Sequence, residues 1–505
     1  MAALVPSIDP RTGLVVEDVA PESTPDDVDA AVMAAQLAAP VLAALGATGR
    51  AAVLEGIADA LEAEREALVE LADRETALGR PRLPGELTRT IYQLRFFADV
   101  IRDGAYLEAV IDPAHESPMG PLADVRRYLV PLGPVAVFGA SNFPFAFSVA
   151  GGATAAAIAA GCPVVAKAHS SHPALSVAVH RAIVRGAEAA GAPEGTIGLI
   201  FGREGGTALV THPGIRAVAF TGSTAGGRVL FDLASARPDP IPFYGELGSL
   251  NPLTVTPAAA AERAAAIAQG WVASFTLGTG QFCTKPGLAL VPAGVDGDAF
   301  RDAASAAVAA VGPSTMLNGT MRDAYLEGTA RIGSADGVAL ETRRFDQAPG
   351  FVVAPTLVET TTDALRAEGS PLLAECFGPV GVVARYRDEA DLLDILGRME
   401  GSLTASVHIG EGETDLPAQV LDAARAFAGR VRVNGYPTGV AVNWSMVHGG
   451  PWPASTNAAH RSVGATSIRR FLRPVAFQNV PDELLPPELR DANPLGVPRR
   501  TVTHD

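Results

Sequence analysis

The sequence predicts an α/β protein built on a parallel sheet, and three observations carry that prediction. Between 133 and 248, short apolar runs alternate with helical patterns: strands over 135–138, 163–168, 196–201 and 215–220, helices over 147–160, 173–190 and 224–236. The strand runs are apolar throughout, as expected of a sheet covered by helices on both faces. At 505 residues with 48% hydrophobic side chains, the chain is also too long for one core of ordinary size, so two or three domains are expected.

The elements follow in order. Segments 26–45 and 47–74 have helical periodicity; in the second, Leu54, Ile57, Ala58, Leu61, Leu68 and Leu71 form an apolar stripe against Glu62, Glu64, Arg65, Glu66 and Glu70. A further helix is read over 89–102. Its Arg89, Gln93 and Arg102 either make an ordinary solvated face or, in the other reading, Arg89, Gln93 and Arg95 point inward at an acidic ligand, since a guanidinium grips a carboxylate through two parallel hydrogen bonds. Turn residues from 113 lead into the mixed run 123–130, read as an exposed strand. The uncharged run 149–166 reaches membrane-spanning length, yet it is rich in Ala and Gly and broken at Gly161-Cys162-Pro163, so a buried helix followed by a buried strand is expected. Beyond 248 come a strand at 251–255, the Ala-rich helix 258–275, a strand after Pro286, helices and loops without a chemical cluster over 296–342, and a strand and turn at 431–435.

Composition excludes several function classes. Fifty-five acidic residues against 39 basic ones leave a formal net charge of −16 and no long basic block, which argues against nucleic acid and anionic membrane surfaces as partners. Three cysteines (Cys162, Cys283 and Cys376) give no disulfide framework and fit a reducing cytoplasm. The N-terminal residues lack the charged and apolar regions of a signal peptide, and no metal site is expected.

The chemistry centres on Gly278-Thr279-Gly280-Gln281-Phe282-Cys283-Thr284-Lys285-Pro286, a cysteine in a Gly-rich turn after a helix. A lone cysteine is more often a small buried hydrophobe than a nucleophile, and it becomes a candidate only with partners elsewhere. Glu246 and Asn142 are two such partners, one a base and the other an amide donor. Upstream, Lys167 follows a strand, and Gly222-Ser223-Thr224 follows another and opens a helix running through Gly227. A helix N-terminus offers free N–H groups and positive dipole to a phosphate, although neither standard phosphate-binding fingerprint is present here.

Asn142-Phe143-Pro144, Lys167, Phe220-Thr221-Gly222-Ser223, Glu246-Leu247-Gly248, Gly280-Gln281-Phe282-Cys283 and Glu375-Cys376-Phe377-Gly378-Pro379 together resemble the aldehyde dehydrogenases, in order and spacing over most of the chain. The resemblance implies a variant Rossmann cofactor domain (1–112 and 132–248, with the N-terminal helices), a catalytic domain (249–467) and oligomerisation strands (113–131 and 468–485). It implies Cys283 as nucleophile, Glu246 as base and Asn142 as oxyanion donor. A nicotinamide dinucleotide is implied on Lys167, Ser170, Gly222, Ser223, Gly227, Leu247, Glu375 and Phe377. Many relatives that prefer NAD carry Glu where this chain has Ser170; without that carboxylate NADP is favoured over NAD.

The C-terminal runs His448-Gly449-Gly450-Pro451 and Arg469-Arg470-Phe471-Leu472-Arg473-Pro474, with Lys167-Ala168-His169-Ser170-Ser171-His172-Pro173, resemble the branch that oxidises α-ketoglutaric semialdehyde or fatty aldehydes. The expected reaction is therefore oxidation of α-ketoglutaric semialdehyde (2,5-dioxopentanoate) to 2-oxoglutarate through a cysteine thioester. Long-chain or aromatic aldehydes are the first alternative, and a non-catalytic protein on the same fold is the second. Acyl transfer to coenzyme A is disfavoured by Glu246. Two departures, Ser141 where many relatives have Trp and Ser249 in place of a second Gly, bear on pocket shape. A homodimer or homotetramer is expected from exposed sheet edges at 123–130 and 469–477.

Overall fold

A computed structural model describes residues 3–342 and 348–504; the expected catalytic segment thus includes 343–347, which lie outside the described residues. Five parallel strands form the first sheet, in the order Phe243–Glu246, Ala217–Thr221, Val135–Phe138, Val164–Lys167 and Ile197–Ile200. The order reverses between Val135–Phe138 and Ala217–Thr221, and the loops leaving those two strands carry Asn142 on one side and Gly222 on the other. Diverging loops at such a point open a crevice beyond the carboxyl ends of the strands. One face of the sheet packs Val137, Val164 and Ala217 against Leu54, Ile57, Phe97 and Ile158; the other packs Ala136, Val165 and Val218 against Val28, Val32 and Leu209.

The second sheet has seven strands: Ala339–Thr342, Thr356–Thr361, Val380–Tyr386, Leu288–Pro292, Leu253–Val255, Ser402–His408 and Ala428–Val433. Among these described pairs only Ala339–Thr342 runs antiparallel. Its amino ends matter most, because Cys283 precedes Leu288–Pro292 and Glu375 precedes Val380–Tyr386. The candidate chemistry therefore lies where the carboxyl ends of one sheet meet the amino ends of the other.

Several sequence expectations shift in detail. The region 47–74 forms two helices, Gly46–Ala63 and Arg65–Thr76, separated at Glu64, whose φ of −104° and ψ of 12° leave the helical range. The helix expected from 147 begins only at Gly152, since residues 143–151 turn tightly and Gly151 has no room for a side chain: a Cβ there would lie 2.5 Å from the Ala146 carbonyl. The uncharged run 149–166 does divide into a buried helix, Gly152–Ala160, and the interior strand Val164–Lys167.

The small exposed sheet is ordered Leu472–Gln478, Val125–Pro131, Ala109–Asp112 and Arg499–Thr501. Val125–Pro131, expected to be an exposed edge, is instead paired on both sides. Sequence pattern cannot reveal a partner that arrives from more than 300 residues away. The edges are Leu472–Gln478 and Arg499–Thr501, the latter held by His504, whose Nε2 lies 2.6 Å from Asp112 and whose ring stacks on His115 at 3.3 Å.

Candidate active site

Cys283 closes the turn that follows helix Pro257–Thr276. Gly278, Thr279 and Gly280 all take positive φ (56°, 61° and 65°), and a Cβ at Gly280 would lie 2.2 Å from the Gly378 backbone. Glycine there is required by space as well as by conformation. Asn251 fixes the other side of the turn: its Nδ2 donates to the Cys283 and Lys285 carbonyls at 2.8 and 3.0 Å, and its Oδ1 accepts from Ser249 Oγ at 2.7 Å. Ser249 therefore serves the scaffold behind the turn. Cys162 and Cys376 are buried, whereas Cys283 is only partly covered. Burial, with the nearby Glu246 and Glu375 carboxylates, pushes the Cys283 thiol up to about 12, so its activation needs a base.

A candidate base is at hand. Glu246 ends its strand opposite Thr221, and the Leu247 N–H donates to the Ala454 carbonyl at 2.9 Å, which ties the strand end to the C-terminal loop. The same loop brings His448, whose Nε2 stands 3.5 Å from Cys283 Sγ and 3.6 Å from Glu246 Oε2. Burial raises Glu246 to about 7, against the pull of Arg470 and Arg89. Burial lowers His448 to about 3, helped by Arg430 and Arg89, so its imidazole is neutral. A neutral ring between thiol and carboxylate can relay a proton from one to the other. In the sequence His448 is one residue of a Gly-Gly-Pro loop; its role has no local signal.

The Asn142 side-chain amide donates to the Gln281 carbonyl at 3.0 Å, which orients it beside the cysteine turn and leaves its second N–H for another acceptor. Arg82, also missed by sequence, donates to the Asn142 carbonyl and lies between the rings of Phe143 and Phe282, 4.6 and 4.5 Å from their centroids. It joins the amide-bearing loop to the cysteine-bearing turn.

Helix Leu83–Asp103 divides the three candidate substrate residues. Arg89 Nε donates to the Val440 carbonyl and Nη1 to Gln93 Oε1, both at 3.3 Å, while Nη2 is buried without a partner. Its charge is felt by both Cys283 and Glu246. Gln93 is buried and donates to the Val463 carbonyl at 3.3 Å. Arg95 is a correction: it points away from the pocket and pairs with Asp59 at 2.8 Å, half exposed. Two residues along a helix is about 200° of rotation, so Gln93 and Arg95 cannot share a face.

The dinucleotide candidates gather on the other side. Ser223 caps helix Thr224–Ser235, its Oγ accepting from the Gly226 N–H at 3.2 Å, and Gly222 and Ser223 are exposed. Gly227 is buried against Leu247, whose Cδ2 would lie 2.2 Å from any added Cβ. The Gly248 N–H donates to Thr224 Oγ1 at 3.1 Å, and a Cβ at Gly248 would lie 2.6 Å from Glu375 Oε2, so the helix start, the Glu246-Leu247-Gly248 run and Glu375 converge. Burial raises Glu375 to about 7. Phe377 lies two residues on, partly covered. Lys167 ends its strand with its pKa lowered by burial, and Ser170 is exposed three residues later. The fold also brings Glu22 within electrostatic reach of Lys167, a carboxylate that the sequence argument from Ser170 did not foresee. An open 12-residue helix start, side-chain-free glycines and a lysine at a strand end fit an elongated phosphate-bearing dinucleotide.

The aldehyde dehydrogenase family model matches residues 2–474. The chain belongs to the aldehyde dehydrogenase family. Alpha-ketoglutaric semialdehyde dehydrogenase 2 of Azospirillum brasilense is 48% identical over 459 residues, covering 89% of this chain and 86% of the relative. Alpha-ketoglutaric semialdehyde dehydrogenase of Acinetobacter baylyi is 43% identical over 486 residues, covering 95% and 91%. Among solved structures, PnpE in complex with nicotinamide adenine dinucleotide matches with a TM-score of 0.80 over 94% of each chain at 23% identity, which shows the shared fold. This aldehyde dehydrogenase is an oxidoreductase that converts an aldehyde to the acid with a nicotinamide dinucleotide.

Proposed function

We propose that the enzyme oxidises α-ketoglutaric semialdehyde to 2-oxoglutarate, with Cys283 as nucleophile. One observation carries this reading: the partly covered Cys283 meets His448, which meets Glu246, and Arg89, whose Nη2 is buried without a partner, lies within electrostatic reach of both Cys283 and Glu246. A free buried guanidinium nitrogen near the nucleophile suits an aldehyde that bears a carboxylate, and the two relatives at 48% and 43% identity are named for such a substrate.

Cys283 gives its proton to Glu246, by way of His448, and its sulfur bonds to the aldehyde carbon while the carbonyl electron pair moves onto oxygen. Asn142 Nδ2 and the Cys283 backbone N–H receive that oxyanion; one such donor is worth about 100- to 1,000-fold in rate. When bound, the dinucleotide accepts the hydride that turns the adduct into a thioester. Glu246 then takes a proton from water, the water oxygen bonds to the acyl carbon, the C–S bond breaks and the Cys283 thiolate leaves. A carboxylate raised to about 7 is matched to that work at neutral pH.

Lys167, Ser170, Gly222, Ser223 and Gly227 would hold the adenosine and phosphate end, and Leu247, Glu375 and Phe377 the nicotinamide end. NADP is preferred, with Lys167 and Ser170 as donors to the extra phosphate, and Glu22 limits that preference. The Glu22→Gln variant should raise the ratio of kcat/KM with NADP to that with NAD. The protein acts in the cytoplasm as a homodimer or homotetramer, assembled through the exposed edge Leu472–Gln478.

The test is a panel of acidic, aliphatic and aromatic aldehydes with both dinucleotides. Arg89→Met should lower kcat/KM for acidic aldehydes about tenfold or more relative to neutral ones, and Arg95→Met should leave that ratio unchanged. An unchanged ratio in Arg89→Met would remove the semialdehyde assignment.

A further inference from the structure

Glu246 borders a small cavity also lined by Gln93, Phe147, Thr221, Ser462 and Arg470, and Cys283 is not on its wall. It is large enough for a water molecule. Arg470 belongs to the short 3-10 helix Ala465–Phe471, which packs on helix Gly152–Ala160, and the residue is 4% exposed. Its Nε donates to the Ser467 carbonyl at 3.1 Å and its plane stacks 5.0 Å from the centre of the Phe471 ring. Arg470 Nη2 is buried without a partner, and so is Glu246 Oε1. Two residues of opposite charge on the wall of one small cavity, one with a buried unpaired donor and the other with a buried unpaired acceptor, form an incomplete pair, and leaving both unpaired is costly.

We propose that Arg470 is a positioning residue for deacylation: across this cavity, through a bridging water, it holds Glu246 as an oriented carboxylate. This rests on Glu246 being the base that hydrolyses the thioester. Arg470 touches neither substrate nor sulfur, and the sequence around it serves the edge strand Leu472–Gln478, so nothing local marks it. The charged and titratable groups facing Glu246 are Arg470 from the 3-10 helix, Arg89 from helix Leu83–Asp103, His448 from the C-terminal loop and Cys283 from its turn; Tyr244, on the strand of Glu246, faces Arg470. Of these, Arg470 is the strongest influence favouring the ionised carboxylate, ahead of Arg89.

The experiment follows the breakdown of the acyl adduct on Cys283. Enzyme is loaded with dinucleotide and limiting aldehyde at acid pH, jumped to a series of higher pH values, quenched and weighed by mass spectrometry. In the parent enzyme the rate should rise through about pH 7, where Glu246 ionises. In Arg470→Met the rise should move up by about one pH unit. Adduct breakdown should then be about fivefold slower near pH 7 and nearly equal to the parent well above pH 8. Arg470→Lys, which keeps the charge, should restore the parent profile. Arg470→Met in a Glu246→Gln background should add nothing.

An unmoved profile in a folded Arg470→Met enzyme overturns the proposal. Should Arg470→Met fail to fold, a parent-like profile in Arg470→Lys supports it, whereas a uniform slowing at every pH in that variant overturns it. Failure of the underlying reading looks different, because Glu246→Gln alone would then break down its adduct at the parent rate.

Discussion

The two halves of the site are built from different materials. On the side proposed for the dinucleotide, the helix start at Gly222–Gly226 faces solvent and offers backbone N–H groups and the space that glycines leave. On the chemical side, Cys283, Glu246, His448, Arg89 and Arg470 are charged or titratable groups withdrawn from water, with Cys283 pushed up to about 12, Glu246 up to about 7 and His448 down to about 3. The contrast teaches where function is stored. A dinucleotide brings its own charge and needs only complementary geometry, whereas covalent chemistry at an uncharged aldehyde carbonyl needs proton affinities that water would otherwise level.

Substitutions on the two sides should therefore fail differently. Cys283→Ser should lower aldehyde oxidation by more than about 10³-fold while dinucleotide affinity, followed by quenching of protein fluorescence, stays within about twofold. Retained turnover in that variant would sink the nucleophile assignment. Glu246→Gln should lower steady-state turnover by about 10²- to 10⁴-fold, slowing both the burst of reduced dinucleotide, because Glu246 receives the Cys283 proton, and the hydrolysis that follows it.

The same Glu246→Gln variant carries a stability sign. The carboxyl is raised in the folded enzyme from 4.5 to about 7, so its protonated form is favoured by folding. Its contribution is fully present below about pH 4.5 and is lost as pH rises through about 7. Above pH 7, removing the buried charge should therefore raise Tm relative to the parent, and below pH 4.5 the two should melt together; calorimetry across that range decides it.

Asn142→Ala should lower kcat about 100- to 1,000-fold with KM for the dinucleotide unchanged. On the backbone-built side the effects shrink. Gly227→Ala forces a methyl against Leu247, and a loss of about 1–3 kcal/mol in dinucleotide binding or stability is expected by titration calorimetry and melting. Ser223→Ala, which removes the helix cap along with one of the proposed dinucleotide contacts, should cost about 1 kcal/mol in stability.

How legible each half was in the sequence follows from the same contrast. Gly222-Ser223 opening a helix after a strand, Lys167 at a strand end and the Gly-rich turn before Cys283 are local patterns, and each stands in the structure at the kind of position its pattern implies. Arg95 was misplaced because an inward reading was given to both Gln93 and Arg95, which helical geometry puts on opposed faces. Glu22 was invisible because it meets Lys167 from 145 residues away. The segment 123–130 was taken for an edge because a strand does not announce which neighbours will cover it.

By itself the sequence determined the parallel sheet within 133–248, the cysteine in its glycine turn and the helix start after Gly222-Ser223, because periodicity and backbone freedom are properties of neighbouring residues. Only the tertiary structure decided that His448 would stand between Cys283 and Glu246, that Arg82 would tie Asn142 to the cysteine turn and that Arg470 would line the same cavity as Glu246. Those three depend on contacts among segments 60 to more than 200 residues apart. Electrostatic coupling in a dry pocket acts through space, and the order of residues along a chain carries no record of that distance.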